Sequence, residues 1–358
     1  AQIDEIEATI PSDRGNHKRE RLQEQGRDTE AIMTDIDDIM SFIRQQWSEN
    51  HILGTNKSFF VYEHVIDNQV TFLIAKSKLD GLIYSILGYI PASHNKEHLD
   101  IWTGIWKTKE GAIPFLGIEL MKRIQLMLGA RTLAGVGDNP DTTVRLNRFF
   151  LNSYTAKMKQ YYMLSESKEY EIADIKDRKF QKRFLVNKTN VVLIENQKQL
   201  ISLYNFKKDV FNVPYKDEWY VARRYFNHPI NKYRVYGLSR DDNVEALLVL
   251  RIQQYARSKA LRVIDYIGKR ELLSGLREFF DTQLKEYEYI DFYVLGFEDE
   301  YLKKAGFVLR DDKDNNIIPN YFYPFERRNI DIWVDSTNPN MLFVKGDGDQ
   351  DRPNQIAE

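Results

Sequence analysis

Two features of this chain have residue types and spacing suited to chemistry. One is Asp100, a carboxylate on the strand-like run LDIWTGIWK (99–107). The other follows it: GAIPFLGIELMKRI (111–124) passes from a glycine through a proline and a second glycine into an apolar helical pattern. Leu116, Leu120, Ile124 and Leu128 fall on one face at helical spacing, which predicts a buried helix beginning near Gly117. A helix start leaves backbone N–H groups without partners and carries partial positive charge, so it can seat a phosphate through the main chain. Glycine there permits close approach. The same glycine is also an ordinary way to begin a helix. Lys107 and Lys109 add basic charge beside it, as phosphate contacts or as a solvated turn.

Other clusters raise narrower possibilities. HNKEH (94–98) has the spacing of a zinc-binding H-x-x-E-H helix, yet it follows Pro91, precedes a strand-like run and has no evident third ligand, so no metal is expected. His94 is left as a loop histidine, either near an acceptor pocket or on a plain surface. DGDQD (347–351) alternates carboxylates as a calcium loop does, with Glu358 in the twelfth place, but Arg352 stands where the sixth-position glycine is needed. Those acids and Arg352 then line a sugar or nucleotide pocket, or form a solvated tail. ARRYFNHP (222–229) and VIDYIG (263–268) bring Arg223, Arg224, His228 and Asp265 among aromatic residues, a set that suits sugar hydroxyls or a nucleotide diphosphate, and equally suits strand-edge packing. Asn139, before Pro140, is turn chemistry or a ligand contact.

The elements that must position these residues are set by composition. With 358 residues, the chain is long for one core and comfortable for two domains. A net charge of -2 leaves no electrostatic footprint for nucleic acid. The absence of cysteine excludes disulfides, thiolate metal sites and a cysteine nucleophile. No secretory signal and no apolar run near the ~20 residues of a membrane span is read, so a cytoplasmic protein without membrane insertion is expected.

Residues 1–26 read as a weakly ordered arm, and Ile32 to Asn50 as an amphipathic helix. FFVYEHV, VTFLIAK, LIYSILGYI and HLDIWTGIW read as consecutive strands, before the helix from Gly117, a strand TLAGVG, a helix VRLNRFF and a strand KMKQYYML. About 160 residues on, the plan recurs. KSFFV matches EWYV, FLIAK matches YRVYG, LIYSILGYI matches ALLVLRIQQ, and LDIWTGI matches LRVIDYIG. A helix LLSGLREFFDTQL, a strand YIDFYVLG and a helix EDEYLKKAGF ending at Gly306 complete it. The expected organisation is α+β, with a first domain over 27–165, a linker over 166–215 and a second domain over 216–358, each a mixed, mostly antiparallel sheet flanked by helices.

This order resembles the GNAT acyltransferase superfamily, in tandem. The stretches WSENHIL (47–53), LDIWTGIWK (99–107), IIPNYFYPFERRNIDI (317–332) and KGDGDQDRPN (345–354) further resemble GNAT-like proteins of bacterial surface-polysaccharide gene clusters. The resemblance implies an acyl-CoA donor, acetyl-CoA or another, beside the strand LDIWTGIWK, and an amino-sugar acceptor that is possibly nucleotide-linked. Backbone groups of Ile105, Trp106 and Lys107 would pair with the pantetheine arm, and Gly111, Ala112, Ile113, Phe115, Leu116, Gly117 and Ile118 would form the pyrophosphate loop, with Asn139 nearby. Gly117 and Leu120 match the family's last glycine and leucine. Ala112 stands in place of its Arg or Gln, Phe115 in place of its first glycine, and Pro114 lacks an N–H. Asp100 would be the base and Tyr154 the acid for the leaving thiolate. The second copy lacks a comparable glycine start, since Gly275 falls inside its helical run, so it is expected to bind acceptor or only to stabilise. An aminoacyl-tRNA-dependent transferase of the peptidoglycan cross-bridge type, and a non-catalytic sugar- or partner-binding protein, are the alternatives.

Overall fold

A computed structural model describes residues 27–166, 169–311 and 313–353. The arm expected over 1–26 and Glu358 lie outside them. Contacts divide the described residues into two compact units, one taking in 27–90 together with Thr103–Leu128, the other Pro91–Trp102 and the described residues from Gly129 on.

In the first unit, strand β1 (Arg27–Glu30) precedes helix α1 (Ile36–Gln46), whose apolar stripe buries Ile36, Ile39, Met40, Phe42 and Ile43. The run FFVYEHV, expected as a strand, is instead helix α2 (Lys57–His64). The Asn56 side chain caps it by accepting from Phe59 N–H at 2.9 Å, and Phe59, Phe60, Glu63 and His64 are buried at helical spacing. Aromatic and β-branched content had favoured a strand; the cap decided otherwise. Asp67 and Asn68, both at positive φ, make the expected turn. Strands β2 (Phe72–Lys76), β3 (Ile83–Pro91) and β4 (Asp100–Thr108) then continue from β1 in the order β1-β2-β3-β4. Helix α3 (Leu116–Leu128) follows and buries Leu116, Leu120 and Ile124 as the sequence pattern requires, while Leu128, expected on the same face, is only partly buried in the last turn.

The second unit begins its regular elements with β5 (Thr132–Val136), α4 (Thr143–Leu151), β6 (Tyr154–Lys157) and β7 (Lys159–Leu164). The stretch read as a linker carries strand β8 (Asn190–Ile194) and helix α5 (Gln197–Leu203), and β8 pairs antiparallel with the next strand. After a short helix α6 (Glu218–Val221) come β9 (Arg234–Ser239), β10 (Ala246–Tyr255), β11 (Ser258–Gly268), α7 (Arg277–Gln283), β12 (Tyr289–Leu295), α8 (Asp299–Ala305) and β13 (Val308–Arg310). Strands β14 (Trp333–Ser336) and β15 (Phe343–Val344) close the chain. The series α2-β2-β3-β4-α3-β5-α4-β6 thus recurs as α6-β9-β10-β11-α7-β12-α8-β13.

Two strands change places between the series. β14 lies between β5 and β6, antiparallel to both, and β7 lies between β12 and β13, antiparallel to both. Each fills a gap that would otherwise expose two rows of unpaired backbone groups. Sequence reading ran KMKQYYML as one strand; Met158 separates it into β6 and β7, which serve different sheets. A core of Tyr161, Leu248, Leu261, Phe280, Phe292 and Phe307 backs the β11-β12 region.

Candidate active site

The loop between β4 and α3 is built from two backbone turns. Gly111 and Phe115 both take positive φ, +77° and +69°, which glycine tolerates freely and phenylalanine does not. The Phe115 ring is 57% exposed, so it stands out from the loop. Gly117 is tightly enclosed: a Cβ there would come 2.5 Å from Thr108 Oγ1 and 2.8 Å from Trp106 Nε1, and Trp106 Nε1 donates to Gly117 O at 3.0 Å. The glycine therefore lets the helix start lie directly on β4. Leu116 N–H reaches Ile113 O at 3.3 Å and Glu119 N–H reaches Phe115 O at 3.0 Å, and Gly117 and Ile118 lie in the first helical turn, whose N–H groups lack intrahelical acceptors. Ala112 N–H bonds Lys109 O at 3.2 Å, closing the turn through Gly111. Ile105 is buried, and Trp106 and Lys107 are partly buried on the same strand.

Asp100 is fully buried, and its carboxylate is engaged on both oxygens. Arg131 Nε donates to Oδ1 at 3.0 Å and Nη2 to Oδ2 at 2.5 Å, while Tyr215 N–H donates to Oδ2 at 2.8 Å. Arg131 also reaches the carbonyl oxygens of Asn212 (2.6 Å) and Val210 (3.3 Å). Both carboxylate oxygens are thus taken up by donors from Arg131 and Tyr215. The geometry gives Asp100 the work of an anchor between the start of β4 and the residue before β5.

A different carboxyl pair escaped the sequence reading. Asp335, on β14, lies opposite Gly135 of β5, and a Cβ on Gly135 would come 2.4 Å from Asp335 Oδ1 and 2.9 Å from both Asp138 carboxyl oxygens. The glycine makes room for two acids at the end of a buried strand. Burial pushes Asp138 well above the usual carboxylate range, and the charges of Asp335 and Asp349 push it the same way. Burial also raises Asp335, though hydrogen bonds from Asp138 and Asn147 offset part of the rise; Asn147 Nδ2 donates to Asp335 Oδ1 at 3.0 Å. The two carboxyls face the same space beside Gly135, and burial raises both. The only sequence hints were the small residue Gly135 and the acid at the close of TLAGVGD; the partner lies 197 positions beyond Asp138 by subtraction of their residue numbers.

The remaining candidates are dispersed. Tyr154 begins β6 as an exposed residue paired with Ser336, and Asn139 accepts from Asp141 N–H at 2.9 Å in the turn before α4. His94 stacks on Trp219 with centroids 3.8 Å apart, its N–H bonded to Asp217 at 2.7 Å, and Arg223 sits 5.3 Å from the same indole ring. HNKEH is a loop, not a helix. Arg224, Asp265 and the DGDQD acids belong to a buried network. Lys216 Nζ lies 2.7 Å from both Asp265 and Asp347, Tyr225 OH donates to Asp265 at 2.5 Å, and Arg224 donates to Gly348 O at 3.0 Å. Burial pushes Asp347 up to about 6 against the pull of Lys216. Asp351 binds Arg251 at 2.6 Å and Tyr233 at 2.8 Å, and Arg352 pairs with Asp349 at 3.0 Å. The acids therefore form neither a calcium loop nor a solvated tail. His228 Nδ1 accepts from Ile230 and Asn231 N–H, and burial beside Arg224 and Arg251 pulls its imidazole down to about 3.

No protein-family model matches the chain, and no curated protein matches it. Solved structures do. A GCN5-related N-acetyltransferase from Anabaena variabilis superposes with a TM-score of 0.54 at 10% identity, over 87% of this chain and 72% of that one. A protein from Enterococcus faecalis, described as a probable N-acyltransferase, superposes with a TM-score of 0.52 at 9% identity, over 88% and 73%. No helix among the described residues is long and apolar enough to cross a membrane, and no group of three or more metal-ligating side chains is found among them. At such low identity a likeness speaks of fold alone: the chain has an α+β fold similar to that of these GCN5-related N-acetyltransferases.

Proposed function

We propose that the protein is an N-acyltransferase that takes its acyl group from acetyl-CoA or another acyl-CoA and gives it to the amine of an amino sugar, in the building of a bacterial surface polysaccharide. One observation carries the reading above the others: in this fold, helix α3 starts directly on the central strand β4, with Gly117 and Ile118 N–H groups available to an anion. Those amides and the turn at Gly111 would hold the diphosphate, and Lys107 and Lys109 would add charge. Backbone groups of Ile105, Trp106 and Lys107 would pair with the donor's extended arm.

In the reaction, the amine nitrogen attacks the thioester carbonyl, the C–N bond forms, the C–S bond breaks, one proton leaves the amine and one reaches the thiolate. A carboxyl pair holding a single proton can do both, releasing it to sulfur and regaining it from nitrogen. Asp138 with Asp335, in the second unit, is a pair of that kind, and Asp100 is a positioning residue through Arg131. The partly exposed stack of His94 on Trp219, with Arg223 beside the same indole, is of a chemistry suited to a nucleotide-linked sugar. Ala112 and Phe115, in place of the family's Arg or Gln and first glycine, favour a second reading, a binding protein that has lost transfer. Incubation with acetyl-CoA and a panel of amino sugars and nucleotide amino sugars, following free thiol release, separates the two: thiol release dependent on the sugar upholds transfer, and none with any acceptor, despite donor binding, upholds the second reading.

A further inference from the structure

In the second half, the central parallel pair β11-β12 is hydrogen-bonded through only three positions, Leu261 with Ile290, Arg262 with Asp291 and Val263 with Phe292. Beyond them the two strands part. The gap is filled by the chain itself. β15 pairs antiparallel with β12, Val344 opposite Val294 and Phe343 opposite Leu295, and Gly346 N–H then donates to Ile264 O of β11 at 2.7 Å. Phe343, Val344 and Lys345 are buried, and Gly346 fits so closely that a Cβ would come 2.6 Å from Tyr225 OH and 2.9 Å from Ile264 O.

The turn that follows β11 is covered as well. Where the first half has an exposed loop, Arg270–Gly275 form a tight turn with Leu272, Leu273 and Gly275 buried. Residues 187–189 lie against it. Thr189 N–H donates to Gly275 O at 3.2 Å, Thr189 Oγ1 donates to Leu272 O at 2.6 Å, and a Cβ on Gly275 would come 2.5 Å from Asn187 O.

We infer that the second half is closed to an acyl donor because the chain occupies both places where one would bind: residues 343–346 take the slot between β11 and β12, and residues 187–189 cover the helix start. An extended peptide and a pantetheine arm present the same chemistry to a parted strand pair, amide N–H and C=O groups in a row, so the internal segment satisfies the strand edges that a donor would otherwise satisfy. One donor site per chain follows, and here the inference rests on the proposed reading of the first half.

Two measurements on the full-length wild-type protein test it. The first is amide hydrogen exchange of the peptides covering 342–347 and 187–190. Exchange slowed about a thousand-fold or more, like that of β12, and unchanged by saturating acetyl-CoA, is the expected result; exchange at the rate of an open chain, or loss of protection on adding acetyl-CoA, overturns the inference. The second is titration calorimetry with acetyl-CoA. One molecule per chain agrees with it and two per chain overturn it. Absence of any binding would remove the donor reading of the first half while leaving the exchange result to decide whether the second is closed.

Discussion

Both halves place an arginine–aspartate fork at the root of two adjacent central strands, with the charges exchanged. In the first, Asp100 follows Leu99 at the start of β4 and meets Arg131, just ahead of β5; in the second, Arg262 follows Leu261 on β11 and meets Asp291 on β12, with Nε–Oδ1 and Nη2–Oδ2 both 2.9 Å. The Arg262 guanidinium donates further to Asn320 O and Pro319 O, as Arg131 does to Asn212 O and Val210 O. A feature kept in position but reversed in sign serves geometry, since a general base cannot be exchanged for an arginine. In the second half the fork lies within the three paired positions of β11 and β12, next to where they part; in the first it ties the start of β4 to the residue before β5. What differs is downstream: the second half fills its gap with its own chain, whereas α3 of the first half is preceded by an exposed loop.

The comparison is broken most severely at the buried fork. Arg262→Met leaves Asp291 as an uncompensated buried charge and is expected to cost about 3–5 kcal/mol in denaturant unfolding; a loss under about 1 kcal/mol would mean that the clamp is dispensable. Arg131→Met should cost less, about 2–3 kcal/mol, because the Arg131 side chain is 22% exposed and water can reach the site. If the two costs are reversed, burial is not what sets them.

Gly117→Ala sharpens the downstream contrast. Its Cβ would collide with Thr108 Oγ1 and Trp106 Nε1, so about 1–3 kcal/mol of stability should be lost, with donor affinity falling too. An unaltered melting curve would show that α3 is not pressed on β4.

The smallest expected effect is a pH dependence. Asp138 has a folded-state pKa raised above its unfolded value, so stability is fully present below about pH 4 and is lost as pH rises toward the folded value. Asp138→Asn removes that loss. The variant should match wild type in acid and exceed it in stability at pH 8, seen in urea unfolding at the two pH values. Parallel profiles would exclude a shared proton.

The element series was legible because β-strand and helix periods are written locally: β2 to β5, α3 and the recurrence all followed from apolar spacing and turn residues. α2 was misread because its Asn56 cap was outweighed by its aromatic content. Exchange of β7 and β14 was not legible, since a strand's pattern states which face is buried and not which neighbour it joins. The site divided likewise. Gly117 was visible as a glycine at a helix start, but the Asp138–Asp335 pair and the Asp100 fork join residues far apart in sequence, and Asp100 read the same with or without Arg131.

The central claim is that the start of α3 binds an acyl-CoA. Thermal melting of the wild type and of Gly117→Val, each with and without acetyl-CoA, tests it most directly. Wild type at a ligand concentration about 100 times Kd should gain about 2.7 kcal/mol and melt several degrees higher, and the variant, still folded, should gain little. No shift for wild type with acetyl-CoA or free CoA at millimolar concentration, or an equal shift for the variant, would contradict the account.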